Sequence, residues 1–405
     1  MTATAITPDE LVARAAAIGP TLVERQAETE ERTSYAPDTH EQFRDAGFYK
    51  MLVPRRYGGL EFDIPTFVRV IVHITHGCPS TGWQLCLPTA HALLVAAWFE
   101  ERAQNELFVD PDFLCPSVAA PVGQAAPTGD GYLELTGTHR YCSGAPYATH
   151  YLGQTLPAAG GPPILFVAPR SEWTMLDDWG HTLGLKGSGS NSIVFDGGRI
   201  REDFALPDTR MLDYDNSQGT PGQRLHGNPM YVGRALSFFG LEFGALAVGM
   251  VKGGLDEYER LITTKTTHRP PIIMRAEDPD YQRWYGRARA KVETAEAALL
   301  QAADQYMAAC RRQVADGVQF GVEEDLRIQS ITHEVVRLCW DGLQEYVFRT
   351  AGSGAAYDGQ RMQRIWRDMS MVWGHLAGVI SDWAARGLTT EHLGIDPEGA
   401  GPRNV

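Results

Sequence analysis

From about residue 230 onward the chain carries four long patterns of apolar residues at helical spacing, over about 230 to 266, 279 to 315, 322 to 352 and 360 to 386. No other feature limits the fold so strongly. Each such helix has an apolar stripe that must be buried against a partner, so four in succession predict a helical bundle. In the last one, Met362, Ile365, Trp366, Met369, Val372, Trp373, Leu376, Val379 and Ile380 fall on one face at about 100° per residue. His375 lies just off the edge of that face. Arg361 and Asp368 share its flank, so a polar seam borders a buried surface.

The first part of the chain is also helical. Thr7 has the character of an N-cap, Pro8 suits the first helical position, and acidic residues follow in the first turn. Further helical patterns cover 38 to 47 and 64 to 76, then "STGWQLCLPTAHALLVAAWFEERAQNELF", where Pro88 predicts a kink. The texture changes near residue 111 to short β-branched or alternating runs such as "GYLELTGTHRYCSG", "PPILFVAP" and "NSIVFDGGRI", punctuated by Gly, Pro and Asp. After the loop "NSQGTPGQRLHGNP" the long helices begin. The expected organisation is a helical domain at 1–110, a β domain at 111–222, and a four-helix bundle with a tail at 223–405, a mainly α chain with a β insert.

The charge balance argues against a nucleic-acid or anionic-membrane surface as main partner: 36 Lys and Arg face 50 Asp and Glu, a formal charge of -14. The six cysteines show no C-x-x-C spacing, so neither a zinc site nor a dense disulfide framework is indicated, and a reducing cytoplasm is expected. The N-terminus lacks the pattern of an export signal, and no run of about 18 apolar residues is evident.

Three regions of this kind leave a cleft where they meet, a usual place for a small-molecule site. Candidate linings come from each. Trp83 and His91 sit eight residues apart on one predicted helix, although a histidine there equally fits a core position. Ser117 closes "FLCPSV", and Ser143 with Gly144 closes "HRYCSG"; small residues at such points also serve simply as turns. "GLKGSGSNSIVF", with Ser188 and Ser190, could cradle an anion or a flavin edge, or be a plain hairpin loop. No G-x-G-x-x-G, P-loop, H-E-x-x-H or G-x-S-x-G motif occurs, so the chain lacks a dinucleotide-binding unit of its own.

Taken together, the domain order and the segments "VPRRYGGLEFDIPTFVRVIVHI", "STGWQLCLPTAH", "LTGTHRYCSGAPYATHYLGQT", "LGLKGSGSNSIVFDG" and "RMQRIWRDMSMVWGHLAG" resemble the acyl-CoA dehydrogenase superfamily over nearly the whole chain. Within it the chain is most similar to the two-component flavin-dependent monooxygenases, the branch of the p-hydroxyphenylacetate and seco-steroid phenol hydroxylases. The dehydrogenases carry a carboxylate base after the Arg-Asp of the last helices; here Leu376 falls at that point, with His375 just before it. The fold implied is an N-terminal helical domain, a central β-barrel or sandwich and a C-terminal four-helix bundle.

What the resemblance implies for the site is specific. Trp83, His91 and Ser117 lie on the substrate side, with His91, helped by Ser117, as the base for a phenol. Ser143 lies near flavin N5, with Gly144, Ser188, Ser190 and Arg234 also at the cofactor, and His375 bonds to and tunes a C4a-hydroperoxyflavin. An imidazole of ordinary pKa, about 6.5, suits the role given to His91. His139 stands where the family commonly has a tryptophan, leaving open how the flavin face is covered. Reduced FMN or FAD would come from a separate NAD(P)H-dependent flavin reductase, O2 would be cosubstrate, a small aromatic compound would be substrate, and the assembly would be a homotetramer. The alternatives are an acyl-CoA dehydrogenase or oxidase with a displaced base, and a scaffold that has lost flavin.

Overall fold

The computed structural model describes residues 6–395, without the side chains of residues 376–379. The chain's tail, and Leu376 and Val379 as members of the apolar stripe, therefore lie outside the described residues.

Six helices open the chain: α1 (Pro8–Glu24), α2 (Gln26–Glu31), α3 (Pro37–Ala46), α4 (Ile64–Gly77), α5 (Pro79–Trp98) and α6 (Glu101–Leu107). The Thr7 hydroxyl accepts from the Glu10 amide at 3.2 Å, the cap that the sequence suggests. Helix α5 continues through Pro88 and is buried along its whole length except at Leu87. A helix enclosed on all sides shows little amphipathic pattern, and this one is apolar almost all round.

Seven strands follow: β1 (Ser117–Pro127), β2 (Tyr132–His139), β3 (His150–Pro157), β4 (Ile164–Pro169), β5 (Thr174–Met175), β6 (Ile193–Arg201) and β7 (Ala205–Leu206). They form one mixed sheet in the order β5-β6-β2-β1-β3-β4-β7, parallel only between β1 and β3. Strands β6 and β4 stand four places apart, about 19 Å in a flat sheet, yet the Phe166 and Phe195 rings touch at 5.6 Å between centroids. The sheet is thus strongly curled, with aromatic rings filling its inside.

The remaining helices are α7 (Pro221–His226), α8 (Ala235–Thr264), α9 (Pro279–Asp316), α10 (Val322–Asp341), α11 (Arg349–Ala351), α12 (Arg361–Trp373) and α13 (Leu376–Leu393). A π-helical turn at Gly342–Phe348 joins α10 to α11 within the pattern read as one helix. Helix α8 packs on α4, α5, α9, α10 and α12. It is long and apolar enough to cross a membrane, but 83% of its most apolar stretch is buried inside the protein, as befits the central helix of a bundle.

One helix differs from expectation. The pattern at 360 to 386 is two helices, because glycine is a poor helix former and Gly374 ends the run, its amide bonding back to Ser370 O at 3.0 Å. Helix α12 packs on α8 while α13 packs on α10. His375 consequently sits at the break between them. The part of the stripe within α12 is placed as expected, with Met362, Ile365, Met369 and Val372 buried.

Candidate active site

The site grows from the seam between α5 and α8. Trp83, Leu87 and His91 recur every four residues and so share one face of α5. Across the seam, Phe243 stands 5.6 Å from Trp83 and Phe239 stands 5.9 Å from His91, centroid to centroid. Leu87, Phe239 and Phe243 remain only partly buried amid closely packed neighbours. Phe243 also borders a small cavity between α8, α10 and α12, lined by Thr332, His333 and Trp373 among others.

At one end of the seam the break after α12 delivers His375, whose ring lies 4.8 Å from Phe243 and 5.6 Å from Trp83. Enough of the residue reaches solvent to count as exposed, while the protein crowding its ring withdraws water and pulls its pKa down to about 4. Beside it runs a line of buried hydroxyls. Trp83 Nε1 donates to Ser143 Oγ at 2.8 Å, Ser143 and Ser190 lie 2.8 Å apart, and Ser190 and Ser188 lie 2.7 Å apart. Gly144 makes the turn that brings Ser143 onto α5. Its φ is +87°, its amide donates to Gly189 O at 3.0 Å, and a Cβ there would stand 2.7 Å from Pro88 Cγ.

At the other end, about 12 Å further along α5, His91 is buried. Its Nδ1 lies 2.7 Å from Cys115 O, and because a carbonyl only accepts, Nδ1 carries the proton and Nε2 the lone pair. Ser117, two residues beyond Cys115, is half-buried, its hydroxyl 3.8 Å from Met211 Sδ. Burial lowers the His91 pKa to about 4, so the expectation of a base of ordinary pKa near neutrality is corrected: loss of hydration outweighs the bond to Cys115.

Two further expectations change. Arg234 is the N-cap residue of α8 but is not brought to the serine line: its Nε pairs with Asp325 Oδ2 at 2.9 Å, and its Nη1 reaches Asn216 at 3.3 Å. A nearby carboxylate at the start of α10 offers it a better partner than the seam does. His139 does not face the site either. It points inside the curled sheet, 2.7 Å from the Tyr151 hydroxyl, and its alternation with buried Leu135 on β2 already fixes that direction.

Two residues before Ser143, and accepting from its amide at 3.0 Å, is Tyr141, 67% exposed and at φ +65°, with its ring edge-on to Trp179. A tyrosine in the left-handed region is a strained conformation that often accompanies function. Sequence reading missed it, and missed Phe239 and Phe243 as well, although "SFFGLEFG" repeats an aromatic at four-residue spacing on a helix.

The acyl-CoA dehydrogenase N-terminal domain family matches residues 10–107, and the acyl-CoA dehydrogenase C-terminal domain family matches residues 241–378. A pigment production hydroxylase of Rhodococcus sp. (strain ATCC 21145) is 30% identical, over 91% of this chain and 93% of its own length. The chain belongs to the acyl-CoA dehydrogenase family. Another relative in that family is the oxygenase component of the FADH2-dependent resorcinol hydroxylase of Rhizobium sp. (strain MTP-10005), 27% identical over 96% of this chain and 95% of its own. The crystal structure of 3-HSA hydroxylase from Rhodococcus sp. RHA1 has the same fold, with a TM-score of 0.84 at 24% identity over 96% of this chain and 97% of that one.

Proposed function

We propose that this chain is the oxygenase component of a two-component flavin-dependent monooxygenase that hydroxylates a phenolic or polycyclic aromatic compound. The observation that carries this reading is the division of one aromatic seam into two polar ends, a hydroxyl line with His375 at one and a tautomer-fixed, neutral His91 at the other. The first end suits a flavin. Trp83, Phe243 and Tyr141 offer ring surfaces to a planar group, while Ser143, Ser190 and Ser188 offer hydroxyls to its polar edge.

When bound, reduced flavin supplies the two electrons that let one atom of O2 enter the substrate while the other leaves as water. The chain's residues do the rest. Trp83 holds Ser143 in place, and the packed rings keep water from the seam. His375, neutral at pH 7, serves as a hydrogen-bonding group rather than a fixed charge. In this reading His91 Nε2, left with the lone pair by the Nδ1 bond to Cys115 O, accepts from the substrate hydroxyl.

The His91 pKa of about 4 decides how far that step goes. A phenol near pKa 10 differs from it by about six units, roughly 8 kcal/mol. His91 therefore polarises the O–H bond in the resting complex and takes the proton only as the ring gives up electron density to the incoming oxygen.

This reading includes a separate NAD(P)H-dependent flavin reductase and assembly as a homotetramer, which light scattering would reveal as four 44.6 kDa chains. Supplying the protein with reduced FMN or FAD, O2 and a panel of phenols tests it: a product heavier by one oxygen atom is expected. Anaerobic reduction of bound oxidised flavin by an acyl-CoA thioester, with no phenol hydroxylated, would overturn it.

A further inference from the structure

Two arms of the serine line and the helix leading to His375 meet at one side chain, Asp368 of α12. It is buried; its Oδ1 accepts from the Leu185 amide at 2.6 Å, and its Oδ2 lies 3.4 Å from Ser80 Oγ on α5. Leu185 is held at φ +52°, a left-handed conformation that a branched side chain avoids. The preceding Gly184 lies so close to α12 that a Cβ there would stand 2.2 Å from Arg367 O. Leu185 O in turn accepts from the Ser188 amide at 3.1 Å and from Trp179 Nε1 at 3.0 Å. The residue that Asp368 grips thus begins the turn presenting Ser188 and Ser190 to Ser143. Ser80, its other partner, lies one helical turn before Trp83, which donates to the same Ser143.

We propose that Asp368 is a positioning residue, which holds Leu185 in its turn and Ser80 on α5 and so fixes the Ser188–Ser190–Ser143 line against Trp83 and His375. The inference rests on the flavin reading of that line. The charged groups facing the carboxyl are Arg364 and Arg367 on its own helix and Glu30 on α2, with the Cys78 thiol nearby. Both arginines are already engaged by Glu30, at 2.8 and 2.6 Å. Asp368 is left to serve the loop. Burial pushes its pKa up to about 7, against the pull of the Leu185 amide and Arg367, both of which favour the carboxylate.

The test uses the full chain without flavin and follows amide hydrogen exchange across residues 183–190 in Asp368→Ala and Asp368→Asn. The Ala variant is expected to speed exchange at Leu185 and Ser188 about tenfold or more, and Asn, which keeps an acceptor oxygen, by much less, with α9 unchanged. The dissociation constant for reduced FMN, measured anaerobically, should rise in the same order. Wild-type exchange at Leu185 in the Ala variant, or a uniform rise through α5, α9 and the loop in both variants, would overturn the proposal. Should Asp368→Ala not fold, Ser80→Ala tests the other arm: weaker reduced-FMN binding with Leu185 exchange unaltered is expected, and unaltered binding would count against it. If wild-type protein binds neither reduced FMN nor reduced FAD, the flavin reading falls, while the exchange result still decides whether Asp368 holds the loop.

Discussion

The two ends of the α5–α8 seam share a framework and differ in chemistry. At the Trp83 end, three separate parts of the chain converge, and the polar groups are hydroxyls joined in a line beside a histidine that reaches solvent. At the His91 end there is one enclosed imidazole, oriented by a single backbone carbonyl. The first arrangement suits a large group that must enter and leave; the second suits a small hydroxyl that must be oriented. Histidine identity alone decides neither role, since both rings are held near pKa 4.

The sharpest way to break this contrast is His91→Leu. Removing a positioned proton acceptor should lower hydroxylation by about 10²–10⁴-fold while reduced-flavin binding stays within a factor of about two. Comparable losses of binding and turnover, read by anaerobic titration and product analysis, would erase the distinction between the ends.

Stability against pH offers a second test. His91 has a folded pKa of about 4, below the roughly 6.5 of an unfolded chain, so the unfolded state binds the proton first as pH falls. Its contribution is intact above about pH 6.5 and is lost progressively towards pH 4, up to about 3 kcal/mol for a shift of about 2.5 units. His139, His150 and His375 are lowered to about 4 as well, so urea unfolding should show a flatter slope in His91→Leu than in wild type by this one contribution; equal slopes would contradict the burial argument.

How much of this was legible beforehand depends on where the information lay. The helix–sheet–helix order was readable because Thr7 and Pro8 mark a start, and because long periodic stripes such as Met362 to Val372 need partners. Trp83, His91, Ser143, Ser188 and Ser190 were readable as candidates by type and by family resemblance. The break at Gly374 was not, since one glycine within a strong stripe is often tolerated in a helix. Nor was the engagement of Arg234, which depends on Asp325, distant in sequence. The depressed pKa of His91 follows from enclosure, which spacing on α5 does not reveal.

Gly144→Ala acts on the serine end alone. At φ +87° and with Pro88 in the way, the added methyl should cost about 2 kcal/mol of stability, measured by thermal or urea unfolding, and weaken flavin binding more than substrate binding. Trp83→Phe is milder, keeping most of the ring while removing its donor to Ser143. A net hydrogen bond of about 1 kcal/mol predicts roughly fivefold weaker reduced-flavin affinity, visible in anaerobic titration, with little change in product formed per flavin oxidised.

The most direct test of the central claim is the yield of hydroxylated product per reduced flavin consumed, measured for wild type, Ser143→Ala and His91→Leu at matched flavin saturation. Wild type should couple the two processes, Ser143→Ala should need more flavin to saturate, and His91→Leu should saturate normally while consuming flavin and O2 without product. If Ser143→Ala saturates like wild type, or if His91→Leu still hydroxylates in proportion to the flavin consumed, the division of the seam into a flavin end and a substrate end is wrong.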